Sequence, residues 1–293
     1  MDFAIPEDIL EFKNIVKAFA KKEVLPSAEE RDLNGVWDHS IWMKMGEMGL
    51  LGLPIPQEYG GQGGSCLLNC LATEGFAEGG MDGGLTLAWG AHSIIGCMPI
   101  VLCGTDAQKK KYLPRLASGE WTAALGLTEP SSGSDAAGSM ETRAVKKGDK
   151  YIINGSKMFI TNGPIGDVFI VMAVTDKAKG AMGVSVFIVE KTFKGFKTGK
   201  KLHKLGMRTS TTSNSFLKIW KFRKKTFSLR KIQDSCAWAV PLSNGKELCL
   251  YPLHSVPCRE CSMQECVMQR KDISSVSPSS AFRQFSPRLQ NAG

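Results

Sequence analysis

The stretch Thr122-Ala-Ala-Leu-Gly-Leu-Thr-Glu-Pro-Ser-Ser-Gly-Ser-Asp135 is where the chain changes its hydrophobic period. Before it, apolar residues return every three or four positions, the pattern of helices with one buried face. After it they come in short β-type runs separated by turn signals. Glu7 to Lys22 carries Ile9, Leu10, Phe12, Ile15, Val16 and Phe19 on one helical face, and Pro26 ends that helix. Asp38 is a good N-cap for a second helix through Ile41, Trp42, Met45 and Met48, which Gly49 stops. The Pro- and Gly-dense run from Gly52 to Gly64 reads as an irregular loop. Helices are predicted again over Leu67 to Ala77, Leu85 to Leu102 and Asp106 to Leu116, the last capped by Thr105 and carrying Lys109, Lys110 and Lys111.

On the other side of Gly119, strands are predicted over Thr122 to Leu127, Glu141 to Val145, Tyr151 to Ile153, Lys157 to Ile160, Val168 to Thr175 and Val184 to Val189. Lys147-Gly148-Asp149, Asn154-Gly155, Asn162-Gly163-Pro164 and Lys179-Gly180 are the turn signals between them. The fold class is therefore α+β. An all-helical domain over 1–118 precedes a small β-sandwich or β-barrel over 119–213, and a tail over 214–293 keeps neither period.

Composition divides the chain at the same place. Of 293 residues, 43% are hydrophobic and 22% charged, with no apolar run near the roughly 20 residues of a membrane span. The reading is a soluble, globular protein of about two domains, with no membrane partner. Residues 1–213 hold 24 Lys and Arg against 23 Asp and Glu, whereas 214–293 hold 13 against 5, so nearly all of the net +9 lies in the tail. A basic excess usually suggests nucleic acid or an anionic surface. Here it sits off the periodic part, and no nucleic-acid partner is expected for the first two domains. The first residues, Met1-Asp2-Phe3-Ala4-Ile5-Pro6-Glu7-Asp8, are acidic where a signal or transit peptide is basic, and with scattered cysteines Cys66, Cys70, Cys97 and Cys103 they suggest a cytoplasmic, reduced protein.

Several motifs carry possible chemistry. Thr128 to Asp135 joins a Pro-bounded turn, Gly133 and hydroxyls to many backbone N–H groups, and such a loop can approach a planar or phosphorylated ligand, although ordinary Gly/Ser loops share this composition. Lys157-Met-Phe-Ile-Thr-Asn-Gly163 taken alone is a strand packed in a core. Gly60-Gly-Gln-Gly-Gly64 lacks the Lys-Ser/Thr and the βαβ setting of a phosphate loop. His92 has no second ligand one turn away, and Cys258-Arg-Glu-Cys261 with Cys266 is half a zinc or redox site without a second pair, so no metal is expected. Lys221-Phe-Arg-Lys-Lys225 reads as a solvated basic face.

In order and spacing these motifs resemble the acyl-CoA dehydrogenase family. The resemblance rests on Leu127-Thr-Glu-Pro-Ser-Ser-Gly-Ser-Asp135, Asn154-Gly-Ser-Lys-Met-Phe-Ile-Thr-Asn-Gly163, Phe187-Ile-Val-Glu-Lys191 and Lys204-Leu-Gly-Met-Arg-Thr-Ser210, and covers Phe3 to Ser213. Gly49 to Gly61 and Gly104 to Gly119 fit as well. It implies FAD held between the β-barrel and helical domains. A carboxylate removes the α-proton of an acyl-CoA thioester while the β-carbon gives a hydride to the flavin. By the same resemblance Leu125, Leu127 and Thr128 line the isoalloxazine, Thr128 bonds its pyrimidine edge, Phe159 and Ile160 lie beside the ring, and Thr161 donates toward N5. Gly133 and Ser134 meet the CoA chain or the polar tail of the flavin, which makes Ser134 the substrate contact. Where relatives often carry a Ser-Arg pair, this chain has Ala181-Met182, so that CoA contact is not implied. An electron-transfer flavoprotein as acceptor and a homotetramer are further implications.

The family continues with an acidic strand and a C-terminal helical bundle that supplies the catalytic Glu. No catalytic residue is assigned here. Asn214 to Ser228 can be back-translated so that a frame shifted by one nucleotide reads Glu-Leu-Phe-Leu-Glu-Asp-Leu-Glu-Val-Pro-Glu-Glu-Asn-Phe-Leu, and Arg270 to Ser279 allows Lys-Lys-Arg-Tyr-Gln-Phe-Gly-Gln-Pro-Ile in the same frame. Glu codons begin GA and Lys codons AA, so an acidic stretch read one base late turns basic. The expectation is a truncated, inactive acyl-CoA dehydrogenase, prone to aggregate through uncovered apolar surface. The alternatives are a related flavin acyl-CoA oxidase or nitroalkane oxidase, and a protein whose Cys-containing basic tail binds nucleic acid or metal.

Overall fold

The computed structural model describes residues 4–148 and 150–217, together with two short strands at 222–223 and 227–228. Helices come first: α1 (Glu7–Glu23), α2 (Ala28–Asn34), α3 (His39–Glu47), α4 (Cys66–Gly80), α5 (Gly83–Gly90), α6 (Met98–Cys103) and α7 (Asp106–Ala117). Asp38 caps α3 by accepting hydrogen bonds from the N–H groups of Ser40 and Ile41, and Thr105 with Gln108 forms a full capping box on α7. Among the α-helices the one that the sequence pattern misses is α2, which starts two residues after Pro26. Phe12, Val16, Trp42, Met45, Leu50, Leu53, Phe76 and Trp89 form the core of this layer.

A π-helical segment, Ala91–Cys97, links α5 to α6, so that Gly83–Cys103 is one continuous helix of 21 residues. That corrects the expectation of no apolar run near this length, because by length and composition this helix could cross a membrane. Its side chains Leu85, Ala88, Trp89, Ile95, Cys97 and Ile100 are buried against protein, the position of a core helix.

The strands are β1 (Ala123–Gly126), β2 (Arg143–Lys147), β3 (Lys150–Thr161), β4 (Val168–Val174), β5 (Val184–Glu190), β6 (Phe196–Lys201), β7 (Thr212–Leu217), β8 (Phe222–Arg223) and β9 (Phe227–Ser228). They form one sheet in the order β6-β7-β3-β2-β4-β5-β9, with β1 on β4 and β8 on β3. β6 and β4 lie far apart in that order, yet Phe196 and Phe169 pack ring on ring at 4.5 Å, so the sheet curls around the cluster of Ala124, Ile153, Ile160, Phe169, Val171 and Phe187. β4 alternates between this inner core and a second cluster, where Ile170 and Met172 meet Ile95, Ile100 and Leu113 of the helices.

Two sequence expectations are corrected here. Tyr151–Ile153 and Lys157–Ile160 are parts of one strand, β3, whose first half pairs with β2 and whose second half pairs with β7. Gly155 lies within that strand because the crossing chain comes close: a Cβ there would stand 2.3 Å from Thr142 Oγ1. The second is the middle-domain limit at Ser213, since β7 runs on to Leu217 in register with β3 and β6. The rest of the tail, including the Cys258–Cys261 pair, the Ser-rich end and most of the basic run at Lys221, lies outside the described residues.

Candidate functional site

The loop after β1 and the far half of β3 are fastened together by a buried ion pair. Lys157 Nζ stands 2.8 Å from Glu129 Oε1 and donates to the Leu127 carbonyl at 3.0 Å. Glu129 also accepts from the backbone N–H groups of Glu141 at 2.6 Å and Thr142 at 3.0 Å, which pins the end of the Ser/Gly loop to its beginning. Burial lowers the Lys157 ammonium to about 8, with Glu129 acting in the opposite direction. Burial by itself raises the Glu129 carboxyl, but the bonds from Lys157, Thr142 and Glu141 leave it below its ordinary value. Glu129 is thus a buried anion in a structural clamp, with three donors holding it in the ionised form.

The clamp presents the residues that lie next to its members. Met158 N–H donates to the Thr128 carbonyl at 2.8 Å, so Thr128 lies across from the beginning of the Phe159-Ile-Thr161 segment. Phe159 has a positive φ of 57° and is 61% exposed, while its neighbours Lys157 and Ile160 are buried. Its backbone N–H donates to Asn214 Oδ1 at 3.3 Å. An aromatic ring turned out of a strand by a left-handed residue is a strained arrangement that leaves a flat face for a ligand. Thr128 and Thr161 are half-buried, and neither hydroxyl has a protein partner among the described residues.

The other expected residues separate into two groups. Gly133 and Ser134 are exposed in a loop braced by Ser132, whose hydroxyl bonds the Asp135 carbonyl and Ser139. A Cβ on Gly133 would meet nothing within 4 Å. Leu125 and Leu127 instead bury their side chains in the cluster shared with the helices, and Ile160 in the inner core of the sheet, so these three can offer a ligand only backbone. A cleft of about 540 Å³ opens beside the clamp, lined by Glu129, Pro130, Ser131, Thr142, Arg143 and Asn154 among others.

What positions this site against the helical layer was not visible in the motifs. Ala123 N–H, at the start of β1, donates to His92 Nδ1 at 3.0 Å, which leaves Nε2 as the protonated nitrogen facing the Leu116 carbonyl at 3.0 Å. Full burial holds that imidazole down at about 4, so it is neutral. Asn162, just past Thr161, donates through Nδ2 to the carbonyls of Ala88 and Ala123. Farther along, Thr209 donates to Asp82 at 2.5 Å, Asp82 pairs with Arg31 at 2.9 Å, and Arg208 N–H donates to Asp32 at 2.6 Å. The Lys204-to-Ser210 motif is therefore a strap from sheet to helices.

Residues 6–120 match the family model for the acyl-CoA dehydrogenase N-terminal domain, and residues 124–219 the model for its middle domain. The chain belongs to the acyl-CoA dehydrogenase family. Among curated proteins it is 44% identical over 213 residues to a short-chain-specific acyl-CoA dehydrogenase of Clostridium acetobutylicum, covering 73% of this chain and 55% of that one. Among solved structures it resembles a chain in the electron transferring flavoprotein of Acidaminococcus fermentans, with TM-score 0.75 and 40% identity over 81% of this chain and 63% of that one. It also resembles an acyl-CoA dehydrogenase complexed with FAD from Bacillus anthracis, with TM-score 0.68 and 37% identity over 76% of this chain and 38% of that one. The chain spans about half the length of the curated relatives it matches.

Proposed function

We propose that residues 4–217 are the flavin- and thioester-binding half of an FAD-dependent acyl-CoA dehydrogenase. The observation that carries the reading is the outward Phe159 on the same segment as Thr161 and across from Thr128, whose two hydroxyls have no protein partner among the described residues, next to the clamp that ties these segments together. This surface fits an isoalloxazine: an aromatic face for the ring, two hydroxyls for its polar edge, and the Gly133-Ser134 loop for a phosphate-bearing tail. The solved relative with FAD supports the same cofactor.

FAD, when bound, supplies the acceptor for the β-hydride, and loss of the α-proton in the same reaction gives a trans-2-enoyl-CoA. The residues of this chain bind and orient the cofactor and substrate and keep water from the ring. Removal of a weakly acidic α-proton also requires a free carboxylate and hydrogen bonds on the thioester carbonyl. Glu129 is committed to Lys157 and cannot serve, so we place the base in the part of the relatives that this match does not reach. An electron-transfer flavoprotein as acceptor and a tetramer are part of the same reading, the former supported by the Acidaminococcus likeness.

The out-of-frame reading of residues 214–293 predicts that this chain binds FAD weakly and turns over no acyl-CoA. Flavin fluorescence quenching on the purified chain, followed by dye reduction with butyryl-CoA, tests both parts. Tight one-to-one FAD with measurable turnover overturns the proposal. Re-reading the DNA across codons 205 to 230 tests the shift itself; the expected outcome is one nucleotide gained or lost, opening a frame that continues the family pattern.

A further inference from the structure

Cys66 and Cys70 lie four residues apart at the start of α4, which Ser65 caps by accepting from the Leu68 N–H at 3.2 Å. Residues at this spacing share a helical face. Both side chains are half-buried, and neither is in a disulfide. Their thiols are in hydrogen-bond contact, and that bond lowers Cys70 from its ordinary value, which favours a thiolate shared with its neighbour's S–H. The other two described cysteines differ. Cys97 is fully buried, which pushes its thiol up, and Cys103 lies at the end of α6.

The helix sets what this pair can do. Cβ atoms four residues apart on a helix are about 5–6 Å from one another, whereas a disulfide needs about 3.5–4.5 Å. Direct S–S closure therefore requires the first turns of α4 to distort. A single atom inserted between the sulfurs removes that requirement. Glu74, the next residue on the face, is drawn to Lys13 at 2.9 Å, and no group of three or more His, Cys, Asp or Glu side chains able to hold a metal occurs among the described residues. A site with two sulfur donors and no third ligand suits a soft centre that takes two thiolates.

We propose that Cys66 and Cys70 form a dithiol clamp for trivalent organoarsenicals of the arsenoxide class. In the step, both S–H bonds and the arsenic–oxygen bonding break, two As–S bonds form, and the two hydrogens leave with the oxygen as water. Arsenic stays trivalent and no electron acceptor is needed.

Phenylarsine oxide is the probe, titrated into the full chain with Cys236, Cys249, Cys258, Cys261 and Cys266 replaced by Ser, so that four thiols remain. One equivalent is expected to protect two thiols from an aromatic disulfide reagent, with release by a dithiol such as dimercaprol but not by a monothiol. Cys66→Ser and Cys70→Ser should each weaken capture about 100-fold by turning a chelate into a single bond. Cys97→Ser and Cys103→Ser should leave it unchanged. Capture that survives both Cys66→Ser and Cys70→Ser, or fails in the four-thiol chain, overturns the proposal. Diamide treatment is a separate check: four thiols should remain, and a Cys66–Cys70 disulfide would overturn the geometric argument.

Discussion

At the residue scale, the Lys157–Glu129 pair and Phe159 have different tasks, and substitution separates them. Removing the ammonium leaves a buried carboxylate with only two N–H donors, and breaking a buried pair in this way costs about 3–5 kcal/mol. Lys157→Met should therefore lower the urea midpoint strongly. Adding Glu129→Leu should recover part of the loss, because the stranded charge is gone, and the double-mutant cycle measures how much. Phe159→Ala is the complementary case. The ring is 61% exposed, so stability should move by less than about 0.5 kcal/mol, whereas FAD affinity, read by fluorescence quenching, should fall about tenfold if the ring supports the flavin. An equal effect on both readouts would make Phe159 a packing residue.

At the element scale, Gly84 in α5 shows how the strap from Lys204 to Ser210 is accommodated. A Cβ there would lie 2.0 Å from Thr209 Oγ1 and 2.7 Å from the Ser210 nitrogen, in the same place where Thr209 reaches Asp82. Gly84→Ala should cost about 1–3 kcal/mol as overpacking, and hydrogen exchange should rise first in 201–210 rather than in α5. A uniform rise would show that the strap and the helix open together. This contact also shows what was legible in the sequence. The helical caps at Asp38 and Thr105 and the change of period at Gly119 are local patterns, and they placed most elements within a residue or two. The Asn154-Gly155 turn was misread because its glycine answers to Thr142 across the sheet, and β6 and β7 were missed because neither alternates cleanly. Of the site, the exposed loop and the Phe-x-Thr segment were legible as motifs. The buried ion pair, the outward turn at Phe159 and the bonds of Asn162 and Asn214 depend on contacts between residues 28 to 74 positions apart, which no local pattern records.

For the whole molecule, His92 is one of the points where helices and sheet are joined, and its titration should appear in global stability. In the folded chain it is neutral down to about 4, while unfolded histidine takes a proton near its ordinary 6.5. Between those values the unfolded state binds the extra proton, so stability falls as pH drops through the window and is fully present above 6.5. A shift of this size amounts to about 3 kcal/mol once pH is below both values, of which about 2 kcal/mol is already lost at pH 5. The clamp acts elsewhere on the scale: the Glu129 carboxyl is held below its ordinary 4.5, so its contribution is lost only in stronger acid. Urea unfolding at pH 7, 6, 5 and 4 separates the two. The steep fall between 6.5 and 4 should disappear in His92→Gln, which keeps a donor for the Leu116 carbonyl and an acceptor for the Ala123 N–H without a proton to gain. A His92→Gln chain that keeps the full slope would move the pH sensitivity to another group and leave His92 as a hydrogen-bonded spacer between β1 and α7.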